Sequence, residues 1–199
     1  MAETTHTSRE QLLETAARLF YEHGYRAIGV DAIVAESGIG KMTLYRHFSS
    51  KDELIVAYLN EADAQFWAWF EAAIRPHEGA PHDQIVALFE SAARLASAPA
   101  CHGCAFQNAA AEFPALDHPG HQVALAHKQA VRGRMRDLAA QAGAREPEVL
   151  ADQLLLLMDG AWIAKRMFGR KNPAQSIAQA ATVLLEAQLP PKNRRAKAK

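Results

Sequence analysis

The segment from Gly38 to Leu54, GIGKMTLYRHFSSKDEL, carries more polar chemistry than a helix of its length needs. Lys41, Arg46 and His47 supply basic groups, Thr43 and Tyr45 supply hydroxyls, and Met42 adds a soft apolar tip. A solvated surface helix has no use for a tyrosine, and a core helix would not take three basic side chains. At about 100° per residue, Leu44 and Phe48 lie within about 40° of each other and turn inward. Lys41, Met42, Tyr45 and Arg46 then fan over the opposite side. Cations and a phenol suit phosphate oxygens, while hydroxyl and apolar tips reach base edges. Lys51, in the first turn of the next helix, adds a cation beside exposed amides that also suit a phosphate. That outer face is fitted to an extended polyanion.

Other chemistries are poorly served. The chain has no G-x-S-x-G elbow, no G-x-G-x-x-G and no G-x-x-x-x-G-K. A di-iron bundle needs two Glu-x-x-His pairs, and the one present is Glu3 to His6. No enzyme activity, cofactor or metal is therefore expected. Cys101-x-x-Cys104 leaves two alternatives open. A helix N-terminus at Cys104 would make its thiol reactive, as in a redox-responsive regulator. A metal shell would need His102, His118 or His121 as well.

The 199 residues are 49% apolar and 22% charged, with formal net charge zero, as in an ordinary globular protein. With no global basic field, any nucleic-acid site must be local. The run Lys192 to Lys199 holds five basic residues and follows Pro190-Pro191, so it reads as a disordered tail. Two cysteines make no secreted disulfide framework, and no signal peptide is evident. The apolar stretch around Leu154 to Met158 is too short for a membrane span. A cytoplasmic location follows as the expectation.

The elements that position the basic segment are all helical. Thr7-Ser8-Arg9-Glu10 has capping-box spacing and opens a helix with Leu12, Leu13, Ala16, Leu19 and Phe20 on its apolar side, ending near Gly24. A short helix from Val30 to Ser37 stops at Gly38, and a third occupies Lys41 to His47. Ser50 to Glu53 is a second capping box, starting a helix that runs to Ile74. Gly- and Pro-containing breaks separate five more, with the last two over 149–168 and 174–189. Short helix, Gly38 turn and second helix form the helix-turn-helix pattern.

The stretch Gly29 to Leu54, GVDAIVAESGIGKMTLYRHFSSKDEL, resembles the DNA-binding segment of the TetR family of bacterial transcriptional repressors, with TLYRHF followed by SK as its specific part. The resemblance implies an all-α protein of about nine helices: a three-helix DNA-binding domain over 1–50, a ligand-binding and dimerisation bundle over 51–189, and the tail 190–199. It implies a homodimer on a double-stranded DNA operator, released by a small-molecule effector. Lys41, Thr43, Tyr45, His47 and Lys51 match family positions that touch DNA. Tyr45, His47 and Lys51 match backbone contacts, and Met42 and Thr43 are the better readers of bases. Gly29 and Gly40 stand where a hydroxyl residue is frequent, and Val34 where many such units have Ala.

Beyond the head, the polar stripe Cys104, Asn108 and Glu112 steps by four within an apolar helix. It is either a bridge to neighbouring helices or the lining of a pocket. The pocket reading adds Phe66, Trp67, Phe70, Phe89, Met158 and Trp162, and favours a small, largely apolar or aromatic effector. Leu154, Leu157 and Ala161, with Ile177, Ala181, Leu184 and Gln188, recur on the last two helices as the pairing surface. A helical interaction protein without a DNA role remains the alternative from another class. It would leave Lys41 to Lys51 without a purpose.

Overall fold

Hydroxyl caps and glycine stops set the helix boundaries. The structure, a computed structural model, describes residues 7–189, less the side chain of Arg170. The basic run at 192–199 and the pair Glu3–His6 lie outside the described residues. Thr7 Oγ1 accepts the Glu10 amide at 3.3 Å while the Glu10 carboxylate accepts the Thr7 amide at 2.8 Å, closing the box that opens α1, Ser8–His23. α2, Val30–Ser37, ends at Gly38, whose φ of 70° lets its amide reach Val34 O at 3.1 Å. α3 is Lys41–His47.

α4, Lys51–Ile74, begins with a displaced box. Ser50 Oγ accepts the Glu53 amide at 3.1 Å, but the Glu53 carboxylate closes on the hydroxyl and amide of Ser49, both at 2.6 Å. The reciprocal bond falls one residue earlier than the spacing predicts. The hydroxyl and then the amide of Ser49 hold the Glu53 carboxyl below its ordinary range.

The chain continues through α5 (Pro81–Ser97), α6 (Ala105–Glu112), α7 (Pro119–Gln141), α8 (Pro147–Phe168) and α9 (Ile177–Gln188). Prolines at the first turns of α5 and α8 forgo only an amide that has no helical partner there. α9 starts at Ile177 and not at 174, because Asn172 Oδ1 accepts the Ala174 amide at 2.9 Å and winds Pro173–Ser176 into a tighter 3-10 turn. The described residues form nine α-helices and no strand.

Two compact units emerge. The first takes residues up to Phe66 together with Cys104–Lys128. Leu12, Ala16, Phe20, Ile33, Leu44, Phe48, Leu54 and Leu59 are fully buried there, with Phe106 and Phe113 of the α6 region joining the same cluster. Tyr25 packs against Phe20, Tyr58 and Phe113 at centroid distances of 5.5, 6.0 and 5.7 Å. Its hydroxyl donates to Ala105 O at 2.9 Å, so the buried phenol is satisfied, and burial pushes its ionisation far above the usual range.

Glu112, at the other end of α6, accepts the Tyr25 amide at 3.1 Å and the Arg26 amide at 2.7 Å. Both its oxygens are thus engaged at the turn that follows α1. Gly24 makes room for them: its φ is 93°, and a Cβ there would sit 2.8 Å from Glu112 Oε1.

The second unit takes Trp67–Gly103 and the chain from Gln129 onward. α5, α8 and α9 pack together in it. Phe89, Leu88, Leu154, Ala181 and Leu185 are wholly buried there. Lys165 is buried too, its ammonium donating to Ala98 O at 2.8 Å.

Gly24→Ala is expected to destabilise the first unit by about 1–3 kcal/mol, because it imposes a side chain on a positive φ and displaces a carboxylate that serves two amides. A urea midpoint equal to that of the unsubstituted chain would contradict this account.

Candidate nucleic-acid interface

α3 is held from beneath. Leu44 and Phe48 are buried in the first unit, as their four-residue spacing requires, and Arg9 lies over the Phe48 ring at 5.1 Å. α1 and α2 are tied by Gln11 Nε2 donating to Ser37 O at 2.9 Å and by an Arg18–Glu36 ion pair at 2.6 Å. Gly38 and Gly40 bracket the turn, and the Ser37 hydroxyl accepts the Ile39 amide at 3.3 Å. Gly40 caps α3 without a side-chain bond, and Gly29 does the same for α2.

The outer face carries what the sequence placed on it. Met42 is 85% exposed and Tyr45 45% exposed, and Lys41 and Arg46 are exposed beside them. Thr43 and His47 are half-buried at its margins. Lys41 Nζ pairs with Asp31 Oδ1 of α2 at 2.6 Å, and that hydrogen bond raises the ammonium's pKa. Lys51 is half-buried, its ammonium 6.0 Å from the Phe20 ring centroid, and burial lowers its pKa. An exposed methionine has no packing value on a free surface, and an apolar tip flanked by cations is what reading a base edge needs.

The other proposed site residues fall into separate groups. In the first unit, Cys104 precedes α6 at its N-cap, Asn108 is half-buried on α6, and Phe66 meets His127 edge-on at 4.6 Å. Glu112 accepts the Tyr25 and Arg26 amides. In the second unit, Trp67 lies 5.4 Å from Phe70, while Phe70, Phe89, Met158 and Trp162 are buried and Trp69 meets Trp162 at 6.3 Å. Neither Cys101 nor Cys104 takes part in a disulfide. Among the described residues no cluster of three His, Cys, Asp or Glu is placed to hold a metal ion.

The residues assigned to pairing divide by burial. Leu154, Ala161, Ile177 and Ala181 are buried in the chain's own second unit, and Leu157, Leu184 and Gln188 are half-buried. α8 and α9 also carry apolar residues on a second, more exposed side. The outer side of α8 shows Leu156 and Met167, each 72% exposed, with Ile163 between them, and α9 shows Val183.

His127 and Asp63 were missed altogether. His127 is buried, stacked on Phe106 at 3.5 Å, with Nδ1 2.6 Å from Asp63 Oδ1. The available signal was register: Ala124, Val131 and Leu138 mark the buried side of α7, and His127 falls on it.

Residues 12–58 match the family described as bacterial regulatory proteins, tetR family. The crystal structure of a TetR-family transcriptional regulator from Streptomyces coelicolor superposes with a TM-score of 0.85 at 37% identity, covering 90% of this chain and 95% of that one. The chain belongs to the TetR family of transcriptional regulators. An uncharacterised helix-turn-helix regulator of Mycobacterium tuberculosis is 28% identical over 85% of this chain and 81% of its own. The transcriptional activator FasR of Mycolicibacterium smegmatis is 49% identical over 51 residues, which are 26% of this chain and 23% of that protein. As a TetR-family member the chain is a DNA-binding transcriptional regulator and not an enzyme. No helix among the described residues is long and apolar enough to cross a membrane.

Lys51→Met keeps the apolar packing over Phe20 and removes the charge. It is expected to weaken binding to every duplex and to make the log–log salt dependence shallower by about one. An unchanged slope in an anisotropy titration would take Lys51 off the DNA. Met42→Ala should relax preference at one base pair, at a cost of about 1–3 kcal/mol there. Equal loss on random duplexes would assign Met42 a packing role instead.

Proposed function

We propose that the chain acts as a dimeric repressor that leaves a palindromic operator when a small, largely apolar or aromatic effector binds. The observation that carries the reading is the outer face of α3, where Met42 and Tyr45 stand exposed among Lys41 and Arg46 over the buried anchors Leu44 and Phe48. Tyr45, His47 and Lys51 hold phosphates, and Met42 and Thr43 face base edges. Residues 1–50 are the part that reads DNA, and 51–189 the part that pairs and senses.

Pairing is supported by the outer stripe of α8. Leu156, Gly160, Ile163 and Met167 advance by four, three and four residues, which keeps them on one side of the helix. Exposed apolar side chains in such a row are costly to leave in water and are covered when a second copy packs there. Two heads so joined would address half-sites about 34–36 Å apart or a multiple of it. Ile163→Glu is expected to yield monomers by sedimentation and to abolish operator binding while leaving the helical content intact. A dimer that survives the substitution would move the pairing surface elsewhere.

The effector class is supported by the aromatic side chains of the second unit, Trp67, Phe70, Phe89 and Trp162, with Met158 beside them in sequence register. The central experiment is a salt titration of binding to DNA from upstream of the protein's own gene, repeated with candidate apolar ligands and with oxidant. All three tryptophans lie in the second unit, so their fluorescence reports occupancy independently of DNA release. Steep, specific binding released by a ligand that also quenches tryptophan supports the proposal. Release by oxidant alone would favour the Cys101/Cys104 alternative. Binding without sequence preference would refute the operator reading.

A further inference from the structure

Resting on the DNA-binding reading of α3, we propose that Asp31 is a specificity-determining residue, an internal competitor that neutralises Lys41 until a correctly placed acceptor displaces it. Lys41 is the first residue of α3 and Asp31 the second of α2, so the pair spans the two helices that the Gly38 turn joins. Nζ and Oδ1 are 2.6 Å apart, and the side chains are 52% and 82% exposed. Nothing crowds the corner: a Cβ built on Gly29 or Gly40 would meet no atom within 4 Å. The pair is therefore open to solvent and to any polyanion approaching the face.

A pair of this exposure is weak and easily exchanged. Its consequence lies in what it does to encounters. Non-specific binding to a duplex is almost wholly the attraction of free cations for phosphates. With its charge matched by Asp31, Lys41 adds little to that attraction, and the carboxylate is repelled by every phosphate alike. In a complex of fixed register, one phosphate oxygen or one guanine edge lies at Lys41 each time. That short, charge-assisted bond replaces the internal one. The right complex has to break the internal pair before Lys41 can bind, whereas a wrong one can leave it intact, so Asp31 costs the right complex more and narrows the gap between the two.

Wild type, Asp31→Asn, Lys41→Met and the double variant would be titrated by anisotropy across a series of KCl concentrations. Two duplexes serve: the one wild type selects from a random pool, and a random-sequence duplex of equal length. Asp31→Asn is expected to tighten the selected duplex about three- to fivefold and steepen its salt slope by about one. The random duplex should tighten less, so the ratio between them rises, and this excess on the selected duplex should vanish on Lys41→Met. Equal tightening of both duplexes, or an excess on the selected one that persists without Lys41, would overturn the proposal in favour of a general charge effect. A loss confined to one base pair of the selected duplex would overturn it in favour of a carboxylate that reads cytosine. If wild type selects no duplex at all, the DNA reading of the face falls first, a result the variants cannot mimic. All substituted positions are exposed, so none of these outcomes depends on refolding a core.

Discussion

The Glu112 carboxylate and the two amides it accepts, Tyr25 and Arg26, are the constraint on which the first unit depends. The turn after α1 has to aim α2, and α2 with its Gly38 turn has to aim α3. Amides in such a turn have no helical partner, and leaving the part-buried Tyr25 donor orphaned would cost about 1–3 kcal/mol. A side chain more than eighty positions away in sequence satisfies both. Gly24 exists in its conformation to leave space for those oxygens. With the Tyr25 hydroxyl on Ala105 O at the opposite end of α6, this short helix is fastened to the head at both ends. The compact unit that contains the DNA-reading helices therefore also contains α6 and the first part of α4.

Much of this was legible because it is local. The Thr7–Glu10 box, the Gly38 stop and the inward pair Leu44 and Phe48 depend on neighbours within one or two turns, where residue type and period suffice. The outer face of α3 was legible for the same reason, since once Leu44 and Phe48 are placed the remaining side chains have one direction left. The Ser49 closure of the α4 box was missed because Ser49 and Ser50 offer the Glu53 carboxylate the same chemistry one residue apart. Asn172 shortened α9 through a turn whose geometry only the folded backbone decides.

What the sequence could not resolve were choices between two faces of one helix. α8 is apolar on the side of Leu154, Met158 and Ala161 and again on that of Leu156, Ile163 and Met167. Periodicity identifies both stripes and ranks neither, because burial in one's own core and burial against a twin use the same residues. Glu112 posed the same problem in polar form. A carboxylate at i, i+4, i+8 spacing from Cys104 and Asn108 fits a pocket wall and a long-range cap equally well. The Tyr25 and Arg26 amides are partners that spacing alone could not reveal.

α3 itself has seven residues and begins on a glycine with no side-chain cap. A helix that short has no stability of its own in water, and helix formation there is supplied by tertiary packing. Leu44 and Phe48 supply it, seated in the cluster of Phe20, Ile33, Leu54 and Tyr25. The geometry of the reading face is accordingly a property of that core and of the Glu112 turn beneath it, more than of the residues that do the reading. Because its residues give up little stability when changed, the face is free to vary in chemistry: Met42 can stand exposed and Asp31 can oppose Lys41 without threatening the fold. Binding preference can thus be retuned at the surface while the core that aims it stays fixed.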